Sequence, residues 1–425
     1  MLNNQDIFTV RVERIAAGGA GVARIAGLDG SDRFPSGSGL TVFVDFSAPG
    51  DLISVRIKAL HKNWAEAELL GIEEPSPART APQCFCYGRC GGCSLQHLAY
   101  NAQLTEKAAI LQDALTRIGG LGSLPEIKTT PSPPYAYRNR VQLHKDPVSG
   151  KSGFKGRRGG EIVPVEDCPV AVGGIRRFLK NSREEAPDAA RFALYSQGEL
   201  LLCGAGPEKN TAGNARENTD TITKGDGVLS EKPRYPGRGR VRVLDREIGM
   251  DADVFFQSNA AMLEKLIPGL LAAAEKADPN LPAADIYCGV GTFAVFLQDR
   301  FRRIDLVEEN RTALALAREN AAGKGSRFFA RTADEWARDI RRGDPDGYGF
   351  AVLDPPRQGL SRGCRDYLAG KGPPVLAYVS CDPASLARDT RALLNGGYRL
   401  ESLAFYDFYP QTPHIESLAV LTREK

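Results

Sequence analysis

The sequence predicts an α/β protein in three parts: a small N-terminal β-barrel, a central α+β part with a cysteine cluster, and a C-terminal doubly wound sheet. Three observations carry this. Short stretches of alternating apolar and polar residues, separated by glycine turns, fill residues 6–72, and several such strands in so short a segment make a small barrel. Four cysteines, Cys84, Cys86, Cys90 and Cys93, crowd into one short segment. From about residue 251 strand-like and helix-like patterns alternate, as in a parallel sheet covered by helices on both faces. The chain has 425 residues, too many for one ordinary core, and the changes of pattern divide it at 1–72, 73–250 and 251–425.

In the barrel, Phe8-Thr9-Val10-Arg11-Val12, Thr41-Val42-Phe43-Val44-Asp45-Phe46 and Leu52-Ile53-Ser54-Val55-Arg56-Ile57-Lys58 alternate as half-buried strands do. Ala65-Glu66-Ala67-Glu68-Leu69-Leu70 forms a last strand, and Gly18-Gly19-Ala20-Gly21 and Ser36-Gly37-Ser38-Gly39 supply turns. Pro75, Pro77 and Pro82 mark a linker into the cysteines. Leu95, Leu98, Leu104, Ala108, Leu111 and Leu115 have helical spacing and predict a helix over 94–118. Residues 126–250 mix short strands, such as Arg140-Val141-Gln142-Leu143-His144, with loops. Within them, 205–240 is rich in Gly, Asn, Thr and charge and reads as a mobile excursion. Beyond it come a helix over 259–274 and strands at 284–287, 304–307, 327–330, 350–353 and 375–379. A helix over 310–322 lies between them, and a last strand begins near Glu416.

Hydrophobic content of 42% and charged content of 25% are those of a soluble globular protein. No apolar run approaches the roughly 18 residues a membrane span needs. Met1-Leu2-Asn3-Asn4-Gln5-Asp6 has neither a basic nor an apolar leader region, so the expected location is the cytoplasm, without membrane contact. A net charge of +3 neither demands nor excludes nucleic acid. Lys151, Lys155, Arg157 and Arg158, then Arg234, Arg238, Arg240 and Arg242, are either solvated loops or phosphate-facing surfaces. In a reducing compartment the nine cysteines are not expected to form structural disulfides. The cluster points to metal or iron–sulfur ligation, and thiolates suit zinc as well as iron.

Asp285-Ile286-Tyr287-Cys288-Gly289-Val290-Gly291-Thr292-Phe293 is a strand-to-helix turn. Its glycines let backbone approach a ligand, and Glu308, at the end of the next strand, is placed for ribose hydroxyls. The third glycine of a dinucleotide fingerprint is missing, which favours S-adenosylmethionine, a nucleoside sulfonium that has no pyrophosphate. Asp354-Pro355-Pro356-Arg357-Gln358-Gly359-Leu360 follows another strand, and its prolines stiffen the segment that holds Asp354. Cys381 lies just past the next strand, and the helix start that follows is expected to lower its pKa and favour thiolate. Glu416 enters the last strand, where an acid is otherwise unwelcome unless it sits on a solvated edge. A thiolate, a base and a sulfonium methyl suit methylation of a pyrimidine carbon. Addition of sulfur at C6 makes C5 enolate-like, and a carboxylate then removes the C5 proton.

In order and spacing, Gln257 within Phe255-Phe256-Gln257-Ser258-Asn259, the 285–293 turn, the 354–360 segment, Ser380-Cys381-Asp382-Pro383 and His414-Ile415-Glu416 resemble the RNA uracil-5 (m5U) methyltransferase family. The resemblance covers nearly the whole chain and implies a TRAM domain at the N-terminal barrel and a class I methyltransferase fold at the C-terminus. It implies Cys381 as nucleophile and Glu416 as base, with S-adenosylmethionine held by Gln257, Tyr287, Thr292, Glu308 and Asp354; the turn itself adds Gly289 to these cofactor-binding positions. It also implies a [4Fe-4S] cluster on Cys84, Cys90, Cys93 and Cys168, leaving Cys86 without a role. Asp382 and Ser385 depart conservatively from the family's usual Asn and Thr, and Thr332 stands where an Asn or Asp often approaches the adenine. The expected partner is RNA, ribosomal before transfer RNA, contacted by Phe255, Phe256 and Arg138-Asn139-Arg140, with the chain a monomer. The alternatives are an m5C or other Rossmann-type RNA methyltransferase, and a non-catalytic RNA-binding or chaperone protein.

Overall fold

The computed structural model describes residues 3–25, 39–157, 159–204, 235–323, 325–343 and 347–424. The expected turn at 36–38, Arg158, Arg234 and the part of the expected excursion over 205–234 lie outside the described residues. Strands β1 (Ile7–Ile15), β2 (Gly21–Ile25), β3 (Leu40–Val44), β4 (Leu52–Leu60) and β5 (Trp64–Glu74) close a barrel in the order β1-β2-β3-β5-β4. The alternation in the sequence is the reason: Ile53, Val55 and Ile57 of β4 are fully buried, while their neighbours face outward. Asp51, ahead of β4, accepts hydrogen bonds from the Ala48 and Ser76 amides and from Arg79, which ties the barrel to the chain leaving it.

Helix α1 (Tyr100–Arg117) begins six residues after the predicted start. The Ser94 and Leu95 amides donate to the Gln411 carbonyl, so 94–99 is held as turns by a distant loop. Strand β6 (Ile127–Thr130) pairs in parallel with a strand near the C-terminus rather than with its sequence neighbours. Strands β7 (Arg140–Lys145), β8 (Ser152–Lys155), β9 (Ile162–Pro164), β10 (Arg191–Gln197) and β11 (Leu200–Gly204) form a separate sheet ordered β11-β10-β7-β8-β9. Helix α2 (Gly173–Lys180) packs on it through Ile175 and Phe178, followed by the short α3 (Ser182–Glu185). A hairpin of β12 (Arg238–Val243) and β13 (Arg246–Asp251) leads to helix α4 (Ala260–Ala274).

The C-terminal sheet adds β14 (Ala283–Ile286), β15 (Ile304–Val307), β16 (Ser326–Phe329), β17 (Phe350–Leu353), β18 (Val375–Ser380), β19 (Arg399–Tyr406) and β20 (Glu416–Thr422). Its order is β16-β15-β14-β17-β18-β20-β19-β6, with β14 through β18 parallel and β20 antiparallel to both neighbours. Strands buried on both faces read as unbroken apolar runs: in β17, Phe350 and Val352 face one core, Ala351 and Leu353 the other. Helices α4, α5 (Ala294–Leu297) and α6 (Arg311–Asn320) cover the first face. Helices α7 (Ala333–Gly343), α8 (Arg362–Lys371) and α9 (Pro383–Asn395) cover the second, together with α1. Strand order reverses at β14, so the carboxyl ends of β14, β15 and β17 surround the switch point where such sheets bind ligands. Among the described residues no helix is long and apolar enough to cross a membrane.

Candidate active site

The carboxyl ends of these strands open into a cleft of about 1090 Å³, lined by Gln257, Tyr287, Gly289, Thr292, Glu308, Asp354, Cys381 and Glu416. Gly289 and Gly291 have φ of +54° and +80°, and a Cβ on Gly291 would come within 3.2 Å of Ala317 in α6. Tyr287 also holds a positive φ of 68°, a strained conformation of the kind that collects at ligand sites. Glu308 accepts from the Gly289 amide at 3.1 Å and the Asn310 amide at 2.7 Å, which poises its carboxylate over the turn. Behind the turn Asp285 is fully buried. One of its oxygens accepts from the Ala294 amide, and burial pushes its pKa up to about 8. Gln257 donates to Asp354 at 3.4 Å.

At the other end of the cleft the sheet register sets the geometry. Ser380 of β18 pairs with Ser417 of β20, so one step outward on each strand brings Cys381 opposite Glu416. Because β20 runs between β18 and β19, Glu416 is no edge residue, and only 3% of it is exposed. Burial, then the Asp354 charge, pushes the Glu416 pKa well above the usual carboxylate range, against the opposing pull of Arg357. Burial also raises Asp354, to about 7.

The thiol of Cys381 goes the opposite way from the sequence expectation. Burial, then the charges of Glu416 and Asp354, push it up to about 12. The helix that was to lower it starts at Pro383, and its cap, Asp382, takes the Ser385 amide at 2.7 Å while adding a further negative charge near the sulfur. Arg357 is the cation that counters these acids; it lies 3.2 Å from the ring of His414, whose pKa burial and that guanidinium lower to about 4. A thiol, a carboxyl group opposite it and a neighbouring nucleotide-type turn line one cleft, an arrangement that can flank a flat base beside a methyl donor.

Arg138, Arg140 and Phe255 stand along the same cleft, with Phe255 61% exposed and the Arg140 guanidinium 6.0 Å above its ring. Phe256 does not share this exposure: its ring is buried edge-on against Tyr195. Sequence reading gave no role to Tyr409, which lines the cleft and is raised to about 12 by burial and the Glu416 charge. Its only signal was an aromatic in the loop leading to Glu416.

Cys84, Cys90, Cys93 and Cys168 come from two segments that converge beside the central sheet. Burial, and then the charges of neighbouring thiols, raise Cys90 to about 11 and Cys168 to about 12. Cys86 lies in the same neighbourhood and is raised as well, by burial and Cys84. These soft donors suit iron–sulfur or zinc ligation, yet among the described residues no group of three or more side chains is gathered as metal ligands.

A family model described as tRNA (Uracil-5-)-methyltransferase matches residues 238–424, and a TRAM domain model matches 4–70. A relative from Treponema denticola, described as an uncharacterized RNA methyltransferase, is 31% identical over 91% of this chain and 94% of its own. The Pseudomonas fluorescens 23S rRNA (uracil(1939)-C(5))-methyltransferase RlmD is 30% identical over 96% of this chain and 92% of its own. The fold is shared with the Pyrococcus abyssi tRNA (uracil-54, C5)-methyltransferase, solved with S-adenosyl-L-homocysteine, at a TM-score of 0.70 and 23% identity over 98% of this chain and 100% of that one. The chain therefore belongs to the S-adenosylmethionine-dependent RNA (uracil-5-)-methyltransferase family.

Proposed function

We propose that the chain methylates C5 of a specific uridine in RNA, with 23S ribosomal RNA its substrate, through a covalent adduct between Cys381 and C6. The observation that carries this reading is the β18–β20 register, which sets Cys381 opposite a buried Glu416 beside the cofactor-type turn. The Cys381 thiol, its pKa lowered by the bound sulfonium charge, releases its proton to water; the thiolate adds to C6, and the C5–C6 electron pair moves to give an enolate. C5 takes the methyl group of the sulfonium, leaving S-adenosylhomocysteine. Glu416 accepts the C5 proton, the double bond re-forms, and the Cys381 sulfur leaves as thiolate. Gln257, Tyr287, Gly289, Thr292, Glu308 and Asp354 hold the cofactor. The curated relatives named for 23S rRNA support the ribosomal substrate.

The target base must leave its stack to reach Cys381, and Arg138, Arg140 and Phe255 suit the RNA strand around it. Cys84, Cys90, Cys93 and Cys168 would hold a [4Fe-4S] cluster. Its role is in folding or RNA recognition, since methyl transfer is redox-neutral. The test combines product and nucleophile. Digestion of RNA methylated by the native protein should yield 5-methyluridine, and Cys381→Ala should abolish transfer. A 5-methylcytidine product, or methylation that survives the substitution, removes this reading.

A further inference from the structure

The loop between β19 and β20 delivers Tyr409, His414 and Glu416 to the cleft, and it is gripped from outside by α1. Lys107 and Asp407 form an ion pair at 2.7 Å with neither side chain exposed. Lys107 also donates to the Tyr409 carbonyl at 2.9 Å. The Tyr100 hydroxyl donates to the second Asp407 oxygen and accepts from the Ser132 amide. One turn of α1 away from Lys107, Gln103 and Gln411 bond reciprocally: the Gln103 amide nitrogen donates to Gln411 Oε1, and the Gln411 backbone N–H donates to Gln103 Oε1, both at 2.9 Å. Gln411 holds a φ of +68°. A left-handed conformation in a non-glycine residue is strained and persists only where the surroundings over-determine it.

Gln103, Lys107, Leu111 and Leu115 form one buried stripe on α1. The two leucines suffice to pack a helix, and a buried ion pair adds little to stability over apolar residues of similar size. The polar half of the stripe is the half that touches the loop of Tyr409. From Tyr409 the contacts continue inward: His414 packs edge-on against its ring at 5.8 Å, and Arg357 lies against His414.

We propose that Lys107 and Gln103 are positioning residues, which fix the 407–411 loop so that Tyr409 and Glu416 meet the reacting base at the correct place. The inference rests on the reading of Cys381 and Glu416 as the reacting pair. Lys107→Met alone would strand a buried carboxylate and strongly destabilise the protein, so the charges are removed together in Lys107→Met/Asp407→Asn. A milder Tyr100→Phe deletes the bond to Asp407 and the one accepted from the Ser132 amide, without unpairing a charge. Leu111→Ala, on the same stripe but away from the loop, serves as the control for simple destabilisation.

With RNA as substrate, the double variant should keep its S-adenosylmethionine affinity and lose kcat by about 10- to 100-fold, the scale of an ångström-level misplacement. It should also accumulate a covalent RNA–protein adduct, because proton removal is the step slowed. Tyr100→Phe should show the same pattern more weakly, and Leu111→Ala should keep its kcat despite a lower Tm. Native kcat in both the double variant and Tyr100→Phe overturns the inference, as does a kcat that follows Tm across all three variants. If Cys381→Ala is inactive while these variants behave as native, only the positioning role fails. If Cys381→Ala is active, the reaction reading itself fails.

Discussion

In the free protein Cys381 shares a buried pocket with Glu416 and Asp354, and all three are held toward their neutral forms. A like charge nearby disfavours ionisation, whereas an opposite charge favours it. A bound sulfonium cation would therefore shift all three groups toward the thiolate and carboxylates that the proposed reaction uses. The sign is testable. Removing a neighbouring carboxylate must lower the thiol pKa, so Glu416→Gln should bring the pH dependence of Cys381 alkylation down from about 12. Iodoacetamide labelling across a pH series, read by mass spectrometry, checks it; an unchanged or upward-shifted profile contradicts the account. The residue types were legible in the sequence, because Cys381 and Glu416 each stand at a strand boundary in a recognisable motif. The direction of the thiol shift was not. It depends first on burial and then on two acids distant along the chain, which the β18–β20 and β17–β18 pairings bring to the same pocket.

At the scale of elements, the helix α4 that follows Gln257 is fixed at its start by Asn259, which is fully buried. Its side-chain oxygen accepts from the Met262 amide at 3.2 Å, and its amide donates to Ser132 and to the Phe408 carbonyl, both at 3.0 Å. One side chain thus caps α4 and joins it to the loop before β20. Asn259→Ala should cost about 2–4 kcal/mol, a lost cap plus buried groups left unpaired; chemical denaturation measures it, and a loss below about 0.5 kcal/mol contradicts the assignment. The helix over 259–274 was legible because its cap and its apolar residues agree. Helix α1 was legible only in part. Its leucines gave the period, but Gln103 and Lys107 read as ordinary polar positions, since their partners Gln411 and Asp407 lie near the other end of the chain.

At the scale of the molecule, the division at residue 250 follows composition more closely than packing. Helix α1 and β6 precede it in sequence, yet α1 covers one face of the C-terminal sheet and β6 forms its last strand. Turn-based pattern reading stops where a strand pairs in parallel with one almost three hundred residues away, because nothing local records that pairing. The Ser94 and Leu95 amides on the Gln411 carbonyl join the segment just after Cys93 to the loop of Tyr409. A cluster on the four cysteines would therefore brace the reaction cleft from the side. Protein purified without oxygen should contain iron and absorb visible light, as elemental analysis and spectroscopy will show; colourless, iron-free protein that methylates normally contradicts a cluster.

In the proposed reaction the sulfur of Cys381 bonds to the base, and Glu416 is needed to release it. Glu416→Gln, incubated with substrate RNA and S-adenosylmethionine and then digested with protease and nuclease, should yield a Cys381 peptide covalently joined to a methylated uridine. Mass spectrometry should show that adduct, and its loss when Cys381 is also replaced. Free 5-methyluridine formed at the native rate with no adduct, or an adduct on any other residue, would contradict it.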